Sequence, residues 1–440
     1  MAHDLTTQLA QLYRRLAFGA SASELQRALG AGYAATAAAL VAGLSQPDPG
    51  ADTIATPAFM TPPADPAVLR SDPVARRQLQ QQLSAERAEL MGWWIARMVA
   101  STNPAREKLT LLLHAHFPTG ISKVRYALYM YGQNQIFRTQ GAGDFAALTQ
   151  AVSTDPAMLI WLDAASDEAS DPNENFAREL MERLTMGIGS YTQADVRAAA
   201  YCFTGWRFNR RTGQFSIAPR QHSDAPQVFL GQSGINAGNQ VIDLVTHSAA
   251  SYRFIPSSFW SLLAAPTTPS SQVVSDLAPG YAADRSIANL LQAIVIHPDF
   301  LSTSTGDGLI KQPVEYVVGA LRALGIPAGA AATSVRPLVT VLAEMGQVPF
   351  DPPSVGGWGQ NTYWLSTAAA LVRWKFADQV AREGDISVVA DSAPAARLEA
   401  AGQLLSIPNW SATTASVLRR APDPATMVAL ALVAPEYVSN

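Results

Sequence analysis

The segment from Asp171 to Gly187, DPNENFARELMERLTMG, carries the densest group of ionisable side chains in the chain. If it forms a helix, its polar residues share one side, because each residue turns the helix by about 100°. That polar face consists of Glu174, Asn175, Arg178, Glu179 and Glu182. Carboxylates between apolar walls are suited to acid–base chemistry, because burial raises their pKa toward neutrality. Glu174 and Glu179 are therefore candidate catalytic residues, and Arg178 is a candidate for substrate binding.

The same pattern also describes an ordinary helix with one solvated face. Its two ion pairs, Glu174–Arg178 and Glu179–Arg183, would each contribute only about 0.3–0.5 kcal/mol if exposed. Asp171 is expected to cap this helix ahead of Pro172, and Glu174 is expected to complete a capping box.

The next segment, TQADVRAAAYCFTGW, predicts a helix with a capping box formed by Thr192 and Asp195. Almost every later residue is small or apolar, which predicts a helix buried on nearly all sides. Arg197 would then be buried and would need a carboxylate partner, for which Glu174, Glu179 and Glu182 are near in sequence. It is also a candidate for substrate binding. A buried Glu–Arg network is expected, either as structural support or as the floor of a cleft.

Histidine is scarce, with six residues in the chain. His114 and His116 lie two apart on a predicted helix, so they point about 200° apart and cannot chelate one metal ion together. His116 falls in the last turn, where the helix dipole favours the charged ring. It is either a packed or capping residue or a general acid–base. His222 and Asp224 lie on an irregular stretch where a spacing of two can place both on one side. His222 is therefore a candidate catalytic residue and Asp224 a candidate for substrate binding, although a turn-forming Asp is the alternative.

Two non-helical islands hold large aromatic residues beside polar ones. Trp206 and Arg207 belong to the first, and Trp358 belongs to the second, FDPPSVGGWGQNTYW at 350–364. Exposed indole rings suit the apolar faces of sugars, so these residues are candidates for substrate binding, although buried core aromatics are the alternative. No glycine-rich phosphate loop, Gly-x-Ser-x-Gly elbow or paired Cys/His spacing is present, so no metal site is assigned and the cofactor is left unknown.

Composition limits the possible partners. A net charge of −4 gives no electrostatic reason to expect nucleic acid, and no apolar run reaches the roughly 18 residues of a membrane span. The single cysteine excludes an internal disulfide.

Asp–Pro or Asn–Pro pairs precede five helix-forming runs, which favours a mainly α protein. We predict a large multi-helix single domain with a small β-hairpin excursion around 206–231. Its expected parts are N-terminal helices at 1–45, an extended Pro-rich segment at 46–71, a central helical core with the charged motif at 72–205, a β excursion at 206–240 and C-terminal helices at 241–440.

Several motifs carry a resemblance that extends from about residue 8 to about 380. They are YRRLAFGAS, HAHF, DPAMLIWLD, PNENFARELMERLTMGIGSYTQADVRAAAYCFTGWRF and MGQVPFDPPSVGGWGQNTYW. In this order they resemble a large bacterial family catalogued as domain of unknown function 1800. The resemblance implies no activity, cofactor or catalytic residue, but it does imply export for many members.

This chain departs from the family pattern at three places. Leu113 stands where relatives have Trp, Ser223 stands in place of the Asp of an His–Asp pair, and Gln227 replaces a Lys. If that loop performs chemistry in the family, this member would be altered or inactive. The first motif begins close to Met1 and leaves no room for a leader, so a cytoplasmic location is expected here.

The favoured hypothesis is a hydrolase-type enzyme that acts on a glycan or another polar polymer in a Glu/Arg/His cleft. The rival is a non-catalytic binding or assembly protein, with a protein partner and a structural Glu–Arg network. A third hypothesis joins His116, His222 and Asp224 in a metal site.

Overall fold

The computed structural model describes residues 4–63, 72–302, 308–327 and 335–439, with side chains from 338 onward in the last range. The described chain is mainly helical, as predicted. Its α-helices, α1 to α23 in chain order, are Leu5–Leu16, Ala22–Ala31, Tyr33–Gly43, Pro73–Ala100, Pro104–His116, Ile121–Val124, Ala127–Gln140, Phe145–Ser153, Pro156–Trp161, Glu174–Glu179, Gln193–Phe203, Gly238–Thr246, Ser251–Leu263, Ser271–Asp284, Ile287–Ile296, Pro313–Ala323, Val335–Met345, Thr367–Glu383, Ser387–Ala390, Arg397–Leu405, Ala412–Leu418, Pro424–Leu432 and Pro435–Val438. Short 3₁₀ turns occur at Ala51–Thr53, Ala164–Ser166 and Asn361–Trp364.

Three of the five predicted Asp/Asn–Pro caps form as expected. The side chains of Asp72, Asp155 and Asp423 accept hydrogen bonds from the first backbone N–H groups of α4, α9 and α22. Asn103 precedes α5 without a side-chain cap.

The predicted cap of the charged helix is wrong. Asn173, and not Asp171, caps α10, and its side chain accepts a hydrogen bond from Asn175 N. Glu174 is therefore the first helical residue and makes no capping box, and its carboxylate is available to neighbouring side chains.

Two helices contain a proline in their interior, which the sequence alone would suggest as a helix end. Helix α13 contains Pro256 and helix α14 contains Pro279, each in the helix interior. Proline there removes one backbone hydrogen bond and normally marks a helix boundary, so it argues against a continuous helix across either segment. Helix α13 forms one wall of the cleft described below.

The β excursion consists of two hairpins instead of one. Strands β1 (Trp206–Phe208) and β2 (Phe215–Ile217) pair antiparallel within the predicted hairpin region. Strands β3 (Gln227–Phe229) and β4 (Gln232–Ile235) form the second hairpin, which extends the excursion beyond residue 231. No other sheet occurs in the described ranges.

Helix α4 lies at the centre of the helical core. It packs against α5, α7, α16 and α17, and residues 90–99 near its C-terminal end are buried on all sides. One cluster of buried apolar residues reaches from Leu9 to Val438. The division into segments of a single domain stays a prediction, and residues 64–71 of the Pro-rich segment lie outside the described residues.

A buried Glu–Arg network crosses this core. Glu107 is fully buried and accepts hydrogen bonds from Arg138 Nε at 2.8 Å, Arg138 Nη2 at 2.8 Å and Trp94 Nε1 at 2.9 Å. Arg97 Nε completes the cluster at 3.3 Å. Burial alone would raise the pKa of the Glu107 carboxyl, but the two guanidinium groups hold it below its ordinary value.

Across the described part of the chain, none of the helices combines the length and the apolar character that crossing a bilayer requires.

Candidate functional site

A cleft of about 720 Å³ opens beside His116. Its walls come from the end of α5, the turn after α10, helix α13 and the loop that precedes Gln360. Four ionisable side chains line it: His116, Glu182, Arg183 and Arg253. Hydroxyl groups of Ser257, Ser258 and Ser261 and apolar groups of Phe254, Leu262 and Met186 complete the surface. The cleft is therefore mixed in character, with two guanidinium groups and one carboxylate.

The charged segment does not continue as an α-helix into this cleft. After α10, residues Leu180–Thr185 form a π-helix, in which Thr185 Oγ1 donates to Leu180 O at 2.6 Å. Both Met186 N and Gly187 N donate to Met181 O. π-Helical turns are rare and frequently mark functional sites, because the extra residue redirects backbone and side chains. Here the widened turn forms the rim that carries Glu182 and Arg183.

His116 is held by both neighbouring elements. Its Nε2 lies 2.9 Å from the carbonyl oxygen of Leu184 in the π-helix, and its ring packs against Phe117, Phe145 and Phe259. A carbonyl oxygen only accepts hydrogen bonds, so Nε2 carries the proton and Nδ1 keeps a free lone pair. Burial lowers the pKa of His116 to about 4, so the ring is neutral near pH 7. The helix dipole favours the charged ring, but desolvation has the larger effect on the pKa of His116.

Glu179 and Arg183 form an ion pair at the edge of the cleft. Glu179 Oε2 lies 3.1 Å from Arg183 Nε, and the Glu179 side chain is 15 % exposed. Burial raises the pKa of the Glu179 carboxyl, Arg183 opposes that rise and Glu182 adds to it. Arg183 lines the cleft while Glu179 does not, so Glu179 acts on the cleft through Arg183. A Cβ at Gly356 would meet Arg183 Nη1 at 3.3 Å, so glycine leaves space for the guanidinium.

Glu182 has its own support from the loop that follows the π-helix. Tyr191 donates its hydroxyl proton to Glu182 Oε2 at 3.0 Å. Burial, followed by the hydrogen bond to this carboxylate, raises the pKa of Tyr191 to about 12. Tyr191 therefore stays protonated over the whole neutral range and keeps one Glu182 oxygen occupied, while the other oxygen remains available.

Arg197 is not buried, contrary to the prediction. Its side chain is 67 % exposed and its Nε lies 3.5 Å from Glu174 Oε1. The small residues of α11 face the core, whereas Gln193, Arg197 and Tyr201 recur at a spacing of four and form an exposed stripe. Of the three carboxylates predicted as possible partners, Glu174 lies within ion-pair distance. The predicted burial is wrong, because alanines cover only part of a helix circumference.

The residues around Glu174 form a polar clamp between α10 and α11. Glu174 Oε2 accepts hydrogen bonds from Arg178 Nη2 at 2.9 Å and from Gln193 Nε2 at 2.7 Å, and Arg178 Nη2 also donates to Gln193 Oε1 at 2.9 Å. The Glu174 side chain is 34 % exposed and that of Arg178 is 38 % exposed. Solvated pairs of this kind contribute about 0–1 kcal/mol. Glu174, Arg178 and Arg197 do not line the cleft, so this network is neither buried nor a cleft floor.

The β excursion holds its predicted site residues away from the cleft. His222 Nδ1 lies 2.8 Å from Thr204 O, and its Nε2 lies 3.1 Å from Asn236 O. Asp224 is 90 % exposed, with Oδ1 at 3.8 Å from His222 Nε2. The ring thus joins the end of α11 to the second hairpin. Arg207 Nη1 donates to Asp167 O at 3.0 Å and fixes β1 to the preceding loop.

The two tryptophans proposed for sugar stacking are buried. Trp206 is 2 % exposed and lies edge-on against Phe203 and Phe215. Trp358 is 8 % exposed and lies edge-on against His114, with ring centroids 5.2 Å apart. Neither ring offers an open face to a ligand, because aromatic residues in these islands complete hydrophobic clusters.

Metal binding through His116, His222 and Asp224 finds no support in this arrangement. Within residues 4–63, 72–302, 308–327 and 335–439, no group of three or more His, Cys, Asp or Glu side chains is close enough to hold a metal ion.

Sequence reasoning did not single out Arg253 and the serines of α13. These residues belong to no recognisable sequence motif, and the helix that carries them contains Pro256 in its interior. Arg183 and Glu182 belonged to the charged segment, but only the π-helical turn directs them into the cleft.

No curated protein and no solved structure matches the chain. One family model does match, over residues 11–439, and its description is protein of unknown function, DUF1800. Because the match covers nearly the whole chain, this protein belongs to the DUF1800 family.

Proposed function

We propose that the protein is a hydrolase-type enzyme that binds a polar polymer bearing acidic groups in the His116 cleft. The observation that carries this proposal is the fixed, neutral ring of His116 at the wall of a cleft rimmed by a π-helix. A concave site at this position also supports the enzyme hypothesis over a flat assembly surface, because ligand sites are concave and few.

The charges of the cleft support an acidic substrate. Arg183 and Arg253 supply two guanidinium groups, and guanidinium groups bind carboxylate or phosphate oxygens with two parallel hydrogen bonds. Glu182 is the single carboxylate among the lining residues and is partly occupied by Tyr191. Glu179 is a positioning residue, because it holds the guanidinium of Arg183.

His116 would act as the base that activates water. Its Nδ1 lone pair accepts a proton from water as the water oxygen attacks the electrophilic carbon of the scissile C–O bond, and the arginines stabilise the negative charge that develops. The C–O bond then breaks, and the imidazolium returns the proton to the leaving oxygen. A bound acidic substrate raises the pKa of His116, since a nearby negative charge favours the imidazolium form. The base therefore becomes stronger when substrate is present.

Hydrolysis of acidic polysaccharides and acidic polyesters tests the proposal. Release of reducing ends or titratable acid is measured for the wild type, for His116→Gln and for Arg183→Met. We expect His116→Gln to lower kcat by about 10²–10⁴-fold, the range for removal of a general base. Glu174→Gln is the matched control, because it removes an (i, i+4) Glu–Arg pair on the same segment but outside the cleft. Equal activity of wild type and His116→Gln would contradict the proposal.

Glu179→Gln separates a positioning role from a structural one. We expect KM to rise, because Arg183 loses the group that holds it, while the melting temperature stays within a few degrees. Large destabilisation would instead mark Glu179 as structural.

The second candidate is a non-catalytic binding protein. The polar clamp of Glu174, Arg178 and Gln193 favours it, because this network joins two helices without lining the cleft. Under this alternative, acidic polymers bind the wild type and are not cleaved, and Arg183→Met weakens binding whereas His116→Gln does not.

A further inference from the structure

A second cavity, of about 500 Å³, lies on another part of the molecule and shares no lining residue with the His116 cleft. It is enclosed by α1, α2, the end of α4, α16 and the C-terminal α23. Its lining includes four basic side chains, Arg14, Arg27, Lys311 and Arg322, and one carboxylate, Glu24. The cavity thus carries an excess of positive charge.

Lys311 is the most buried of these basic groups. The residue is 4 % exposed, and its Nζ lies 3.4 Å from the ring centroid of Tyr437. Among the described residues, Lys311 Nζ donates no hydrogen bond to a protein acceptor. The hydroxyl group of Tyr437 is also buried and has no hydrogen-bond partner in the described part of the chain. Buried polar groups are normally satisfied, so an unpartnered buried hydroxyl beside a lysine Nζ whose neighbour is an aromatic ring points to an absent acceptor.

A second buried lysine, Lys108, has the protein acceptors that Lys311 lacks. Lys108 is 2 % exposed, and its Nζ lies 2.6 Å from Glu315 Oε1 and 3.2 Å from Arg14 O. The second oxygen of Glu315 accepts from Gln312 N at 3.0 Å. Both oxygens of Glu315 are therefore engaged, and neither serves Lys311.

The electrostatics of Lys311 agree with an absent counter-charge. Burial lowers the pKa of Lys311 well below its ordinary value, and the positive charges of Arg14 and Lys108 lower it further. Glu315 opposes this effect without forming an ion pair with Lys311. An anion beside Nζ would raise the pKa again and let the ammonium form persist.

We propose that this cavity binds a small organic anion whose carboxylate or phosphate group accepts hydrogen bonds from Lys311 Nζ and the Tyr437 hydroxyl. Arg322 contributes a rigid positive charge, since its Nη1 donates to the carbonyl oxygens of Met98, Val99 and Ser101. A volume of about 500 Å³ exceeds the needs of an oxyanion alone. Phe18, Leu321 and Leu405 line the remainder, which suits a hydrocarbon part of the ligand.

Isothermal titration calorimetry of the full chain with hexanoate and with hexyl phosphate tests this proposal, with hexanol as the uncharged control ligand. We expect at least one of the two anions to bind and hexanol not to bind. Lys311→Met preserves the volume of the stem and should weaken anion binding by at least about tenfold, since it removes a charge-assisted hydrogen bond. Lys375→Met is the matched control, because Lys375 is exposed and does not line the cavity.

Two further measurements keep the test decisive. Tyr437→Phe removes only the hydroxyl group and should weaken binding several-fold even if Lys311→Met is poorly folded. Titrations in two buffers of different ionisation enthalpy, repeated from pH 7 to pH 10, should show proton uptake on binding to the wild type and none for Lys311→Met, because an anion raises the pKa of the ammonium group. Binding of one anion alone supports the proposal and identifies its head group. Absence of binding by both anions, equal binding of hexanol, or unchanged affinity in both variants would overturn it.

Discussion

His114 is expected to make the protein less stable in mild acid. Its ring is 1 % exposed and is surrounded by Trp94, Phe350 and Trp358, with centroids 5.7, 5.4 and 5.2 Å away. Burial lowers the pKa of His114 from 6.5 to about 3. In the unfolded chain the ring titrates near its ordinary value, so the folded and unfolded states bind different numbers of protons between these two values.

The sign and size of the effect follow from this difference. As the pH falls below 6.5, His114 is protonated in the unfolded state but not in the folded state, so the free energy of unfolding falls. From the shift of His114 this loss is about 2 kcal/mol at pH 5, relative to neutral pH. It grows further until the pH approaches the folded-state pKa of about 3.

The assay compares urea unfolding of the wild type and His114→Gln at pH 7.5 and pH 5.0. Glutamine is neutral at both values, so the variant should lose about 2 kcal/mol less than the wild type on acidification. The comparison between proteins is needed because His116 and Asp155 also titrate in this range. His247→Gln serves as control, because the His247 side chain is 37 % exposed.

Parallel pH dependence in wild type and His114→Gln would refute the reasoning. It would mean that the folded protein admits a proton to this ring, and thus that water or a carboxylate reaches His114. An equal change in His247→Gln would point to a general effect of histidine removal and not to burial.

Two other buried groups lead to separate predictions. Glu107→Gln should lower the free energy of unfolding by about 3–5 kcal/mol at pH 7, because Arg138 and Arg97 then lack a buried counter-charge, whereas the half-exposed Glu174→Gln should change it by at most about 1 kcal/mol. Since the pKa of Glu107 is lowered in the folded state, its contribution is present above about pH 4.5 and is lost in stronger acid, so urea unfolding at pH 3 should show a smaller difference. Burial raises the pKa of Asp155 to about 7, so the folded state keeps a proton that the unfolded state releases above about pH 4, and stability falls as the pH rises through this window. Asp155→Asn should therefore gain about 2–3 kcal/mol relative to wild type between pH 5 and pH 8 in urea unfolding curves, and a constant difference would contradict the raised pKa.

Local signals predicted the helices that begin with a cap. Asp155 and Asp423 mark helix starts in the sequence and cap helices in the structure, because capping depends only on a side chain and the next three backbone N–H groups. Helix α13 continues through Pro256, which local signals argue against, because the surrounding packing outweighs the lost hydrogen bond.

The residues proposed for the site from the sequence lie in different surroundings in the fold. His116 lines a cleft, and Glu179 lies behind one of the lining arginines. Trp206 and Trp358 point into the core, and His222 bridges two backbone segments. Residue type indicates which side chains could bind or react, but it does not indicate which of them lie close together in the fold.

By itself, the sequence determined the helical class, the capped helix starts, the (i, i+4) pairs of the charged segment and the first hairpin. All of these depend on residues within a few positions of one another, so the local chain contains the needed information. Only the tertiary structure decided that Arg197 is solvated, that His116 is neutral and that Glu107 holds a buried network. Burial and electrostatic environment are set by segments far apart in sequence, because desolvation depends on everything packed around a group and not on its neighbours along the chain.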